Sequence, residues 1–122
     1  MALLVKRIYA PAQEGDGYRV LVDRLWPRGL PRSQARVDAW LKDLAPSDAL
    51  RRWFGHDPQR WEEFQRRYRE ELQTPHKQAL LNDLAQRART GTVTLLFAAR
   101  DEEHNNAIAL QRILESQIKG DE

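Results

Sequence analysis

The chain reads as a single α/β domain over residues 1–122, with a small, largely parallel sheet flanked by helices, and three observations predict this. Val20, Leu21 and Val22, and again Val93 to Ala99, form continuous apolar runs, the pattern of strands covered on both faces. Between them lie segments with apolar residues at helical spacing, each behind a start signal: Ser47, Asp57 with Pro58, and Thr74 with Pro75. A length of 122 residues suffices for one buried core but argues against a second domain.

Taken in order, residues 3–9 form a short N-terminal strand, followed by a turn-rich loop through Pro11, Gly15, Asp16 and Gly17. Val20 to Leu25 is the second strand. Its connection to the first is too short for a helical crossover, so the two are expected to be antiparallel or unpaired. Val37, Ala39 and Leu41 alternate with polar residues, which suits either a strand or a helical turn over 37–44. Ser47 caps a helix carrying Leu50, Trp53 and Phe54 that stops at Gly55. Behind Asp57 and Pro58, Trp61, Phe64, Tyr68 and Leu72 form an apolar stripe, with Glu62–Arg66 and Glu63–Arg67 pairs on the wet side. The helix behind Pro75 buries Leu80, Leu81, Leu84 and Ala88 and ends near Gly91. Thr92 to Ala99 is the clearest buried strand. The last helix is expected from about Glu102 to Ile118, with Asp101, Glu102 and Glu103 favoured in its first turn by the helix dipole. Residues 1–2 and 119–122 are expected to fray.

Composition narrows the function classes. Without cysteine there is no disulfide, thiolate nucleophile or zinc finger, which suits a reducing compartment. No apolar stretch approaches the roughly 18 residues needed to span a bilayer, and residues 1–9 lack signal-peptide zones, so a cytoplasmic protein without membrane contact is expected. The formal charge of +2 is too small to argue for nucleic acid by itself, but the 20 basic residues are 16 Arg and 4 Lys. Arginine suits bidentate contact to carboxylate or phosphate, although a high-GC genome also enriches it.

The chemistry-bearing residues follow the two apolar runs. Asp23, Arg24, Leu25, Trp26, Pro27, Arg28 and Gly29 stand behind the first; Arg100, Asp101, Glu102, Glu103, His104, Asn105 and Asn106 stand behind the second. Ligands of open α/β sheets sit beyond the carboxyl ends of the strands, so both blocks are expected on one cleft. Asp23 and His104 are the candidate acid/base residues, Asp23 with the alternative of an ion pair to Arg24 or Arg28. Arg24, Arg28 and Arg100 suit an anion, Asp101, Asn105 and Asn106 suit polar recognition, and Trp26 suits stacking on a planar group. His56 reads as part of an interhelix turn and His76 as surface. Three histidines without paired spacing give no dedicated metal site, though a phosphate ligand would leave room for one carboxylate-bound Mg²⁺. The Walker, GxGxxG and GxSxG signatures are absent, so no cofactor is expected.

The segments GYRVLVDRLWPRG (17–29), WLKDLAPS (40–47), LRRWFGHDPQRWEEF (50–64) and TLLFAARDEEHNNA (94–107) resemble the YeaO-like family of uncharacterised bacterial and archaeal proteins. The resemblance implies an α/β fold and carries no agreed activity. A broader related group has an Asp-x-Arg-x-x-Pro pattern after one strand and a Cys-His-Arg triplet opening the last helix. Here Asp23 and Pro27 match the first only with a shift, and Asn105, Asn106 and Ala107 stand in place of the triplet. A thiol mechanism therefore does not transfer.

The leading expectation is a pocket for an anionic, nucleotide-like or phosphorylated small molecule between segments 23–29 and 100–106, with hydrolase or transferase chemistry if it is an enzyme. Two rivals stand beside it. One is a nucleic-acid or regulatory module using the Arg60–Arg69 helix and the 28–36 loop, against which Glu62, Glu63, Glu70 and Glu71 count. The other is a structural network without a ligand. Oligomeric state has no signal in the sequence.

Overall fold

A computed structural model describes residues 2–120. Four strands, β1 (Ala2–Arg7), β2 (Tyr18–Leu21), β3 (Ala39–Trp40) and β4 (Thr92–Phe97), form one sheet in the order β1-β4-β2-β3, all pairs parallel. Five helices accompany them: α1 (Arg32–Ala35), α2 (Asp48–Phe54), α3 (Trp61–Glu71), α4 (Pro75–Thr90) and α5 (Asn106–Gly120). The α/β class holds. β1 and β2 are indeed unpaired, because β4 lies between them, and the short loop from one to the other crosses with only a 3-10 turn at Glu14–Asp16. Segment 37–44 resolves into both alternatives, the two-residue β3 and then a 3-10 turn at Lys42–Leu44. Among the residues expected to fray, Ala2 belongs to β1 and Lys119 and Gly120 to α5, while Met1, Asp121 and Glu122 lie outside the described residues.

The alternation of β2 and β4 explains their unbroken apolar runs. Val20 and Val22, with Val93, Leu95 and Phe97, face a core built with α2, α3, α4 and α5. Leu21 and Leu96 face the other way, into a smaller cluster with Ile8, Ala35, Trp26 and Trp40. That second face is covered by the 23–37 loop and the single turn of α1 rather than by long helices.

The start signals act as read, with one refinement. Ser47 caps α2 by accepting from the Leu50 N–H at 3.1 Å, and Thr74 caps α4 by accepting from Lys77 at 3.3 Å. Asp57 caps a 3-10 turn at Pro58–Arg60 that leads into α3. On the wet side of α3, Arg66 pairs with Glu63 and Glu70 instead of Glu62, while Arg67 pairs with Glu63 as expected.

The first strand spans Ala2–Arg7 where residues 3–9 were expected, and three other boundaries move because side chains intercept backbone groups. The strands were expected to run to Leu25 and Ala99, but the Asp23 carboxylate takes the Ala98 N–H at 2.9 Å, which ends the ladder there. The last helix starts at Asn106, not Glu102. Asp101 accepts from the N–H groups of Glu103 (2.9 Å) and His104 (3.0 Å) in a turn ahead of the helix, and Asn105 is the cap, accepting from Ile108 at 2.9 Å. The acidic run therefore precedes α5 instead of forming its first turn.

Beside the start of β2 a buried polar cluster locks the β1–β2 loop. Asp16, 4% exposed, receives Arg19, Lys6 and the Gln13 N–H, and Arg19 also donates to the carbonyls of Ala35 and Arg36, each at 3.0 Å. The Thr94 hydroxyl donates to the Asp16 carbonyl at 2.7 Å.

Candidate functional site

Because all strands are parallel, their carboxyl ends share one edge, and the chain leaves β1, β4 and β2 there. A cleft of about 1040 Å³ opens above it. All nine residues singled out from the sequence line this cleft: Asp23, Arg24, Trp26 and Arg28 from the β2 side, Arg100, Asp101, His104, Asn105 and Asn106 from the β4 side. Arg7, Tyr9, Arg51, Phe54 and His56 line it as well, and sequence reasoning assigned none of them to the site. Arg7 ends β1, so its position follows once β1 is known to pair with β4. His56 carried a weak signal. It has a φ of 57° directly after Gly55 at 54°, a double left-handed turn that takes it from the end of α2 to the cleft.

Asp23 forms the floor. One oxygen accepts from Ala98 and the other from Asn106 Nδ2 at 3.1 Å, while the same Asn106 amide donates to the Val22 carbonyl at 2.8 Å. The ends of β2 and β4 and the start of α5 are thus tied together. The expected alternative, an ion pair to Arg24 or Arg28, is not formed among the described residues. Burial pushes the Asp23 carboxyl above its usual range, opposed by the Ala98 and Asn106 hydrogen bonds. A carboxyl whose folded pKa is raised stabilises the fold fully below pH 3.8 and loses that contribution as pH rises through the folded value. Replacing Asp23 with Asn removes the charge yet keeps an acceptor for Ala98. The expected result is a stability within about 1 kcal/mol of wild type at pH 7, with the difference, variant minus wild type, growing more favourable from pH 4 to pH 7. Urea melts across that range measure it, and a pH-independent loss would contradict the assignment.

His104 and Asp101 form a pair, Nδ1 to Oδ2 at 3.0 Å, and the imidazole packs edge-on to Trp61 with centroids 5.4 Å apart. The Glu103 N–H, with His104, holds the Asp101 carboxyl below the usual carboxylate range, against a small effect of burial. Asn105, 3% exposed, is spent on the fold, since its amide donates to the Asp101 carbonyl at 3.0 Å while its oxygen caps α5. Trp26 donates to the Leu30 carbonyl at 2.7 Å, meets Trp40 edge-on at 5.4 Å, and carries the Arg32 guanidinium 4.9 Å from its centroid.

The cleft's charge is lopsided. Five arginines face two aspartates in its lining. Arg51 pairs with Asp48, and Arg7 donates to the Ala99 carbonyl at 3.0 Å. Arg24, Arg28 and Arg100 make no side-chain hydrogen bond or ion pair among the described residues, Arg24 acting on Asp48 only at longer range, whereas Arg52, Arg60, Arg66, Arg67 and Arg87 each pair with a carboxylate. His56 and Phe54 lie with ring centroids 6.4 Å apart. His76, as expected, is at the surface, 2.7 Å from Asp43. Among the described residues no three His, Asp or Glu side chains gather to hold a metal ion, and no helix is long and apolar enough to cross a membrane.

A family model described as "Inactive DUF488-N3 subclade" matches residues 2–122. The chain belongs to this family. YeaO-like relatives surround it: the uncharacterised protein YeaO of Escherichia coli is 37% identical over 116 residues, 95% of this chain and 99% of its own. Uncharacterised proteins of Mycobacterium tuberculosis and Mycobacterium bovis are each 42% identical over 110 residues, 90% of this chain and 91% of theirs. No solved structure matches. The DUF488-N3 match spans both polar blocks, so the cleft lies wholly within the family's domain.

Proposed function

We propose that this protein binds a small anionic molecule in the cleft between segments 23–29 and 100–106, and holds it without turning it over. The observation that carries the reading is the trio Arg24, Arg28 and Arg100, three guanidiniums on one cleft with no protein acceptor among the described residues. Phosphate and carboxylate both suit that fork geometry, and the amino end of α5 adds favourable dipole charge at Asn106. Binding without turnover is supported by three further facts. The family is described as inactive, no thiol is present, and both acid/base candidates already have protein partners, Asp23 with Ala98 and Asn106, His104 with Asp101. A cysteine-free chain with such a pocket suits the cytoplasm. The nucleic-acid reading draws little support, because the arginines Arg66 and Arg67 are neutralised by Glu63 and Glu70 on their own helix.

Calorimetric titration with phosphorylated and carboxylated metabolites tests the proposal. Arg28→Ala and Arg100→Ala should each weaken binding of a hit by about tenfold or more, the worth of a lost charge-assisted hydrogen bond. Both sites are exposed, so stability should stay within about 0.5 kcal/mol. Tight binding retained in the Arg28→Ala, Arg100→Ala double variant would sink the site assignment, and steady product formation would overturn the non-catalytic part.

A further inference from the structure

We infer that the ligand is an organic anion with an apolar body, an aryl or short alkyl carboxylate or phosphate, and not a nucleotide or sugar phosphate. This rests on the anion-binding reading above and narrows it to a chemical class.

The first ground is what the walls are made of. Beneath the arginine rim the lining includes Leu25, Ala45, Pro46, Phe54, Ala98 and Ala99, and contains no Ser, Thr or Gln. The second is that the amide, hydroxyl and indole donors of the cleft are largely committed, which leaves the His56 imidazole, His104 Nε2 and the Asn106 oxygen as its free neutral polar groups among the described residues. Asn105 uses both ends of its amide on Asp101 and Ile108, and the Asn106 amide nitrogen gives both hydrogens to Val22 and Asp23. Tyr9 donates its hydroxyl to the Arg28 carbonyl at 3.2 Å, and Trp26 donates its indole N–H to Leu30. Uncommitted side-chain polarity is chiefly cationic. A sugar would surrender the hydration of several hydroxyls with few groups to replace it, whereas an anionic head needs only the guanidiniums.

Two features point to the body of the ligand. Leu25 is 70% exposed and Tyr9 43%, two of the three large apolar side chains left in water among the described residues, and both line this cleft. Apolar side chains gathered beside a charged rim mark a surface that something apolar covers. Trp26, the one indole in the lining, is engaged by Arg32 and Trp40, so it is poorly placed as a base-stacking platform. A hydrocarbon body laid against Leu25, Pro46 and Ala99, with its charged head toward Arg28 and Arg100, satisfies both halves of the cleft.

The test is calorimetry on the full chain with two charge-matched series: phosphate, phenyl phosphate and naphthyl phosphate; acetate, benzoate and naphthoate. Glucose phosphate and AMP serve as polar comparators. Affinity should rise along at least one series by about tenfold or more from the bare anion to the naphthyl compound, with a negative heat-capacity change. Glucose phosphate and AMP should bind no tighter than phosphate. Leu25→Ser, at a site too exposed to disturb folding, should remove much of the aryl gain while leaving the bare anion unaffected. AMP or glucose phosphate matching the best aryl ligand would overturn this inference and leave the anion-binding reading standing. So would a flat series, or an aryl gain unchanged in Leu25→Ser. Failure of every anion to bind would overturn both.

Discussion

Replacing Arg19 with alanine should cost about 3–5 kcal/mol, the loss expected when one partner of a buried ion pair is removed and the other stays. Arg19 is 5% exposed, and its fork serves Asp16 together with the carbonyls of Ala35 and Arg36. Alanine leaves two carbonyls without a donor and Asp16 with only Lys6 and the Gln13 N–H. Lysine should rescue little, since one ammonium cannot span three acceptors that a planar guanidinium meets at once. The cluster also sets an acid limit. Burial pushes the Asp16 carboxyl up, but the Gln13 N–H, Lys6 and Arg19 outweigh it and hold the group below its ordinary 3.8. A depressed carboxyl contributes stability that is present above 3.8 and lost as pH falls through the folded value. Urea melts at pH 7 and pH 3 should show the gap between wild type and Arg19→Ala narrowing in acid; an equal gap at both pH values would refute the coupling.

A comparable loss is expected from Gly17→Ala, one residue before β2. Gly17 sits at φ 64° and ψ −131°, a conformation nearly confined to glycine, and an added Cβ would lie 2.2 Å from the Thr92 carbonyl oxygen. That oxygen belongs to backbone held in register on both sides, Thr92 opposite Ala2 and Val93 opposite Tyr18. Relief by a small shift is therefore closed off, and strain plus overlap should cost about 3 kcal/mol or more. The denaturation midpoint should fall with an unchanged slope, marking a loss of native stability and no change in the unfolded chain. A midpoint near wild type would mean the loop can rebuild itself.

Both substitutions lie at the start of β2, and neither was legible as a stability site. The Asp16 cluster depends on Lys6 from β1, the carbonyls behind α1 and Thr94 from β4, which only the folded sheet brings together. α1 itself, Arg-Ser-Gln-Ala, has no apolar stripe to announce it. Helix starts were legible because Ser47 and Thr74 act within three residues of themselves. The start of α5 misled for the same local reason, since an Asp-Glu-Glu run satisfies the dipole rule whether or not the helix has begun. The two polar blocks reach one cleft because each follows a strand, so their meeting was readable from apolar runs alone. Arg7 was hidden by strand order, and His56 by a left-handed turn whose second residue is not glycine. The Trp26 ring lines the cleft as read, but its engagement by Arg32 and Trp40 required the second core beneath the sheet.

The position of β4 has a consequence for how the chain assembles. It is the last strand in sequence and a central one in space, joined to β1 and β2 on either side, with Leu3 opposite Val93 across roughly ninety residues of chain. Until β4 has been made, the strand pairing available among the described residues is the two-residue ladder between β2 and β3. Helices α2 to α4 can form while synthesis proceeds, but the face of the sheet they rest on does not yet exist. Closing so long a loop demands an entropic outlay before any ladder hydrogen bond repays it, so sheet formation waits on the emergence of β4. A chain cut short before residue 92 would carry unpaired apolar edges in β1 and β2, an invitation to self-association that β4 withdraws when it slots between them.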